Sequence, residues 1–278
     1  MILSSYAKIN LTLRVNSKGI NNLHEIQSYF CLIDLVDKIK IKKNKIKKDK
    51  IIFKGPFAKF VNKSSNSILT LLKLLRELKM ISNYYSINVK KNIPVFAGLG
   101  GGTGNAASVL KYLLKKKISK TLLSQMEAKI GSDLKLFFYK QGFIKNLRSI
   151  IEIKKKQNFF FVLVQPNIKC STKEIYSKVR HYSKKKAFKK YKLNTKLKLM
   201  NYLSKSSNGL QLIVEKKYPI VKKLLIDIKS EKGCRFSRMT GSGSVCYGLF
   251  NNQIKAKKAL NNLKIKHPKF WSSLAKTV

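Results

Sequence analysis

Acidic side chains are scarce in this chain: 12 Asp and Glu stand against 60 Lys and Arg, a formal net charge of +48 at pH 7. So basic a balance first suggests a nucleic-acid partner. Arginine is scarce too, confined to Arg14, Arg76, Arg148, Arg180, Arg235 and Arg238, whereas base and phosphate recognition favours the arginine fork. The lysines run along the whole chain, so the charge reads as a bias in residue usage that turned solvated positions into lysine. No specific nucleic-acid partner is expected, only weak, salt-dependent attraction for polyanions. Cys31, Cys170, Cys234 and Cys246 form no Cys-x-x-Cys pair, and histidine is limited to His24, His181 and His267. A structural zinc site is therefore not expected, and a reducing cytoplasm is the simplest location. The longest clean apolar run, Phe159 to Val164, is strand length and far short of a membrane span. The start of the chain has no basic region followed by an apolar one, so no signal peptide is expected. A chain of 278 residues can bury a substantial core, and two domains are expected.

What the sequence does have is a glycine cluster. Pro94-Val95-Phe96-Ala97-Gly98-Leu99-Gly100-Gly101-Gly102-Thr103-Gly104-Asn105-Ala106-Ala107 puts five glycines in seven residues directly before a helical pattern. Ala106, Val109, Leu110, Leu113 and Leu114 form one apolar face, which predicts a helix starting near Thr103. Glycines permit positive φ and inward-turned N–H groups, and a helix N-terminus favours an anion. The stretch is read as a phosphate cradle. A Walker A loop would need Lys-Ser or Lys-Thr after its last glycine, and Asn105-Ala106 stands there instead. A dinucleotide fingerprint should follow a strand directly and be answered by an acidic residue about 20 positions on. Here Pro94 breaks the approach, and Glu127 lies inside a helical pattern.

Elsewhere, Ile9, Leu11, Leu13 and Val15 alternate with Lys8, Asn10, Thr12 and Arg14, predicting a strand with Lys8 and Asn10 on one face. Alternation alone fits a solvated polar face equally well. Lys38 to Lys50 reads as strand, basic turn and strand. Asn66-Ser67 can cap a helix whose buried stripe is Leu71, Leu72, Leu75 and Leu78. A further helix carries Ile118, Leu122, Met126 and Ile130 and ends at Gly131, beyond which Asp133 stands at an expected helix-to-strand junction. Lys154-Lys155-Lys156-Gln157 is a candidate joint, giving domains 1–156 and 157–278. Pro166 ends the strand at Phe159 to Val164, residues 181–200 are low in complexity, and Pro219 breaks the pattern from Leu210 to Ile228. A second glycine-serine turn, Met239-Thr240-Gly241-Ser242-Gly243-Ser244, either closes against the first loop or merely links two strands.

The cradle resembles the Pro-x-x-x-Gly-Leu-Gly-Gly-Gly-[Ser/Thr]-x-[Asn/Asp]-Ala-Ala loop of the GHMP kinases, the family of galactokinase, homoserine kinase and mevalonate kinase. The resemblance runs from end to end: Ala7-Lys8-Ile9-Asn10-Leu11, His24-Glu25, Phe30, Asp34-Leu35-Val36-Asp37, Asn66-Ser67-Ile68, Lys91-Asn92-Ile93-Pro94, Gly131-Ser132-Asp133, Pro166 to Thr172, and Thr240-Gly241-Ser242-Gly243. Together they are similar to the branch whose acceptor is a cytidine diphosphate ester of methylerythritol in the non-mevalonate isoprenoid route. The resemblance implies a two-domain α/β (α+β) fold, with an N-terminal domain like ribosomal protein S5 domain 2 and a C-terminal ferredoxin-like α+β domain. It implies ATP and Mg²⁺, transfer of the γ-phosphoryl group to a tertiary hydroxyl, and Lys8 and Asp133 as catalytic residues. ATP would be held by Asn66, Lys91, Pro94, Gly98, Leu99, Gly100, Gly101, Gly102, Thr103, Gly104 and Asn105. The cytidyl substrate would meet Asn10, His24, Phe30, Thr172, Tyr176, Gly241 and Ser242. Metal ligands are not assigned, although Thr103 offers a hydroxyl, and the enzyme is expected to be a cytoplasmic monomer or homodimer.

Three departures from the branch's pattern stand out. Asn22-Leu23-His24 replaces Gly-Tyr-His, removing an aromatic wall; Asp133-Leu134-Lys135 replaces Asp-Val-Pro; and Gly142-Phe143-Ile144-Lys145-Asn146 lacks the usual Gly-x-Gly-Glu. The rival readings are a GHMP kinase for another small alcohol, a basic nucleic-acid-binding protein on an S5-like fold, and a degenerate kinase, the last opposed by retention of Lys8, Asn10 and Asp133.

Overall fold

A computed structural model describes residues 2–19, 24–115, 118–154, 156–185 and 195–278. The Asn22-Leu23 departure, Lys155 of the candidate joint and residues 186–194 of the low-complexity stretch lie outside the described residues. In chain order the elements are β1 (Ile2–Asn10), β2 (Arg14–Lys18), β3 (His24–Asn44), β4 (Lys50–Lys54), α1 (Ser67–Glu77), β5 (Tyr84–Lys90), α2 (Gly101–Leu114), α3 (Lys120–Ile130), β6 (Gln141–Asn146), β7 (Ser149–Glu152), β8 (Phe160–Gln165), α4 (Thr172–Ser177), α5 (Lys196–Ser204), α6 (Gln211–Lys217), α7 (Pro219–Ser230), β9 (Cys234–Met239), β10 (Cys246–Phe250), α8 (Gln253–Lys266) and β11 (Trp271–Lys276). They form two compact units. One takes residues up to Lys8, 34–95 and 100–139; the other takes 9–33, 96–99 and 140–278. The division expected at residue 156 follows domain order along the chain, whereas the compact units are discontinuous because β1 and β3 each pass from one to the other.

In the first unit the later half of β3 pairs antiparallel with β5, and β5 pairs parallel with β4. A parallel pair needs a crossover, and α1 supplies it. Alternation buries Ile39, Ile41, Ile87 and Val89 on one face. The other face exposes Lys38, Lys40, Lys42, Lys50, Lys54 and Lys90, with Lys38 opposite Lys90 and Lys90 opposite Lys54. Asn66 caps α1 by accepting from the Leu69 N–H at 3.1 Å. Ile68, Leu71, Leu72 and Leu75 are buried, but Leu78 is exposed because the helix ends at Glu77. Helix α2 starts at Gly101, two residues earlier than expected, because Gly100 adopts φ +68° and serves as the N-cap. Ser119 caps α3, so Ile118 precedes that helix; Met126 and Ile130 are buried and Leu122 is half-buried. Asp133 leads into a short 3₁₀ turn, Leu134–Phe138, in place of the expected strand; the turn buries Leu134, Leu136 and Phe137.

The second unit contains the antiparallel pairs β2–β3, β3–β6 and β6–β7. It also holds a four-stranded antiparallel sheet in the order β11-β8-β10-β9. Numbered within the sheet, that order is 4-1-3-2, with helices between the first and second strands and between the third and fourth: the ferredoxin-like arrangement. Val162, Val164, Leu224, Ile228, Phe250, Ala259 and Leu263 belong to its core. Pro219 starts α7 at its first turn, where its missing N–H costs nothing. The strand expected across residues 8–15 is interrupted: the Tyr29 carbonyl accepts from both Leu11 and Thr12 N–H groups, so β1 stops at Asn10 and β2 resumes at Arg14. Lys8, Asn10 and Thr12 are all buried, so their face is not a solvated one. No helix among the described residues is long and apolar enough to cross a membrane.

Candidate active site

Strand β1 carries Lys8 into the first unit with its stem along Gly100: a Cβ on Gly100 would come 3.2 Å from both Lys8 Cγ and Cε, and 2.9 Å from Phe137 Cζ. Lys8 is buried, and its Nζ pairs with Asp133 Oδ2 at 3.1 Å. The side chain of Asp133 remains 30% exposed, so the carboxylate is both charge-paired and open to a small molecule. Gly104 lies as close to Phe137, whose Cε1 would sit 2.8 Å from an added Cβ. These contacts place the N-terminus of α2, with its unpaired amides and positive dipole end, beside an ammonium and a carboxylate.

The remaining predicted nucleotide residues of this unit are distributed around that helix start. Gly102 is exposed, and a Cβ there would meet only Ser67 Oγ, at 3.4 Å. Thr103 Oγ1 would lie 3.1 Å from a Cβ on Gly131, at the C-cap of α3. Asn105 is buried, and its Oδ1 has no hydrogen-bond partner among the described residues; it faces inward. Pro94 is buried. Lys91 is also buried, its Nζ 2.5 Å from Asp37 Oδ2, and burial pulls its ammonium below the ordinary lysine pKa against the opposing effect of Asp37.

The second unit holds the other predicted residues. Asn10 Nδ2 donates to Ser28 Oγ at 2.7 Å, and its backbone N–H donates to Thr240 Oγ1 at 3.0 Å. The glycine-serine turn both links β9 to β10 and packs on the loop residues Phe96 to Leu99. Ser244 N–H donates to Phe96 O at 3.1 Å and Val245 N–H to Ala97 O at 3.3 Å. Gly98 approaches so closely, at φ +70°, that a Cβ would stand 2.2 Å from Thr240 O. Leu99 is buried. Gly241 takes φ +55°, and Thr172 and Ser242 share a hydroxyl hydrogen bond of 2.9 Å. His24 lies against Tyr176, ring centroids 5.1 Å apart, and stacks on Tyr182 at 6.2 Å. Phe30 is fully buried, its ring occupying the space over Gly142.

Two positioning residues escaped the sequence reading. Asn208 is buried and donates to the carbonyls of Met239 and Gly241, both at 2.8 Å, while accepting from Leu210 N–H; an Asn-Gly pair is its only sequence signal, and that reads as an ordinary turn. Arg238 is buried and donates to the carbonyls of Leu11, Leu203 and Ser206. All four cysteines are buried as free thiols, and burial raises Cys170 and Cys234 to about 11.

A cation, a row of amides and a partly exposed carboxylate at one helix start suit transfer chemistry on a polyanion. Comparison with known proteins agrees. The family profile for the GHMP kinases N terminal domain matches residues 66–139, and that for GHMP kinases C terminal matches residues 185–269. The 4-diphosphocytidyl-2-C-methyl-D-erythritol kinase of Pelagibacter ubique (strain HTCC1062) is 37% identical over 281 residues, covering 99% of this chain and 98% of that one. The protein of the same name from Wolbachia pipientis wMel is 31% identical, covering 95% and 94%. Among solved structures, a 4-(cytidine 5'-diphospho)-2C-methyl-D-erythritol kinase superposes with a TM-score of 0.74 at 21% identity over 99% of both chains. The homoserine kinase of Cytophaga hutchinsonii gives 0.66 at 14%, covering 100% of this chain and 94% of that one. At those identities the structures speak to fold, and the sequence relatives to kinship: the chain belongs to the GHMP kinase family, in its 4-diphosphocytidyl-2-C-methyl-D-erythritol kinase branch.

Proposed function

We propose that this chain is an ATP-dependent kinase that phosphorylates the 2-hydroxyl of 4-diphosphocytidyl-2-C-methyl-D-erythritol. The observation that carries the reading is the Lys8–Asp133 pair, 3.1 Å apart beside Gly100, in a chain 37% identical over its length to a relative of that name. Phosphoryl transfer asks chiefly for positioning, charge neutralisation and a proton acceptor. As the acceptor oxygen bonds to the γ-phosphorus and the bond to the β-phosphate oxygen breaks, Asp133 takes the hydroxyl proton. Lys8 balances the charge on the transferring group and holds the Asp133 carboxylate in place through their ion pair. Amides at the start of α2 and the loop residues Gly98 to Gly104 hold the polyphosphate, with Asn66 and Pro94 flanking the nucleotide. Asn10, Thr172, Tyr176, His24, Gly241 and Ser242 take the cytidyl acceptor.

Among the described residues no group of three or more His, Cys, Asp or Glu side chains is disposed to hold a metal. Thr103 Oγ1 and the partly exposed Asp133 carboxylate are the protein oxygens that would hold a Mg²⁺ arriving with the nucleotide phosphates. When bound, the ion would neutralise phosphate charge. We assign residues 1–156 to the ATP-binding domain and 157–278 to the C-terminal domain of a cytoplasmic enzyme, monomeric or homodimeric. The test is ADP release from Mg-ATP with the cytidyl alcohol, homoserine or mevalonate as acceptor. Turnover with the cytidyl compound alone is expected; turnover with another alcohol would move the chain elsewhere in the family.

A further inference from the structure

The Asp34-Leu35-Val36-Asp37 block has no part in the mechanism above, yet Asp37 is a fully buried carboxylate whose oxygens are directed at the entry to the glycine loop. Its Oδ1 accepts from the N–H groups of Asn92 and Ile93 at 2.7 and 2.8 Å, and its Oδ2 receives Lys91 Nζ at 2.5 Å. Asn92 Nδ2 returns to Val36 O at 3.0 Å. The chain is therefore pinned immediately before Pro94. From there Lys91 Nζ reaches the first turn of α2: a Cβ on Gly101 would meet it at 2.8 Å, and Ile93 Cγ2 at 3.0 Å. This explains the glycine at 101 and poses a physical problem. An ammonium at a helix N-terminus is repelled by the dipole, and a buried ion pair is costly to desolvate; the backbone bonds to Asn92 and Ile93 account for the Asp37 carboxylate but not for an ammonium beneath the helix start.

The arrangement makes sense if a polyanion completes it. Resting on the reading that the loop takes ATP, we infer that Asp37 is a positioning residue for the nucleotide's phosphates. It holds the Lys91 ammonium beneath the first turn of α2 and balances its charge until the phosphates arrive. Lys91 then acts through Gly101 and its neighbours, adding its field to that of the helix amides without leaving its buried place. Asp37 sets both where that charge lies and where the loop begins.

The experiment compares wild type, Lys91→Met, Asp37→Asn and the apolar pair Asp37→Leu/Lys91→Met, measuring adenosine, AMP and ADP binding by calorimetry together with thermal midpoints. The expected result is a loss that grows with phosphate number: adenosine within twofold of wild type, ADP weaker by about tenfold. KM for the cytidyl acceptor stays unchanged. The apolar pair also leaves the Asn92 and Ile93 N–H groups without their acceptor, so it has a lower thermal midpoint than Lys91→Met and an ADP loss at least as large. ADP binding within twofold of wild type in a folded Lys91→Met or apolar-pair variant overturns the inference, as does an equal loss for adenosine and ADP. A folded wild type that binds no adenine nucleotide overturns the ATP reading itself, and this inference with it.

Discussion

Two glycines of the same loop should respond to alanine in opposite ways. At Gly98, φ is +70° and the new Cβ would stand 2.2 Å from Thr240 O and 3.1 Å from Gly243 N, both backbone atoms that cannot swing aside. An L-residue in the left-handed region costs roughly 1–2 kcal/mol. Relieving the clash means lifting Phe96 to Leu99 off the glycine-serine turn, which breaks the bonds from Ser244 and Val245 N–H, about 1 kcal/mol each. Gly98→Ala should therefore lose about 3–4 kcal/mol, a fall in Tm of roughly 6–8 °C for a chain of this size. At Gly102, in the first turn of α2, the Cβ meets only Ser67 Oγ at an ordinary 3.4 Å. Alanine there should raise stability by about 0.5 kcal/mol, while its methyl group on the exposed side raises KM for ATP. Thermal unfolding of the two variants beside wild type, with KM for ATP measured on each, checks both arms. Equal midpoints, or a Gly102→Ala variant as damaged as Gly98→Ala, would refute the reasoning.

Three further outcomes are expected. Phe96 is half-exposed at φ +55°; Phe96→Gly should relieve the left-handed strain and raise stability by up to about 1 kcal/mol, read as a higher midpoint in denaturant. Burial works to raise the Asp227 carboxyl, but hydrogen bonds from Lys266 at 2.6 Å and His267 at 2.9 Å outweigh it and hold the group below the ordinary carboxylate range. Its stabilisation is thus fully present above the ordinary carboxylate pKa of about 4 and fades as pH falls through the depressed value. Asp227→Asn should lower Tm at pH 7 and flatten the acid side of the stability profile. Finally, the lysine row Lys38, Lys90 and Lys54 places like charges directly opposite across neighbouring strands, a destabilising arrangement. Added NaCl should raise Tm by screening it, and Lys90→Ser should raise Tm at low salt and reduce that salt effect.

The glycine cradle, the Asn66 cap, the break at Pro219 and the alternating strands were legible because each rests on local chemistry: positive φ, an N-terminal acceptor, a missing N–H, alternation; the two-sheet architecture followed from the family resemblance. Strand β1 was legible in its pattern but not in its burial. Alternation shows that Lys8 and Asn10 share a face; only the fold shows that Asp133 and Ser28, far along the chain, occupy the space beyond them. Leu78 illustrates the opposite error, since helical spacing predicts a face but not where the helix stops. The start of α2 was misplaced by two residues because one glycine, Gly100, serves as the helix cap. Asn208 and Arg238 stayed hidden, and Asp37 was matched without a role, because their bonds run to backbone groups or to partners dozens of residues away, and no residue pattern marks such a bond.

The central claim is that Asp133, paired with Lys8, takes the acceptor proton during transfer from ATP. Single-turnover phosphorylation of 4-diphosphocytidyl-2-C-methyl-D-erythritol by wild type and Asp133→Asn tests it most directly, with nucleotide and acceptor binding measured on both. The account predicts that the substitution leaves both affinities within a few-fold of wild type and slows the chemical step by about 10²–10⁴-fold. A folded Asp133→Asn variant that phosphorylates the acceptor at the wild-type rate would contradict it.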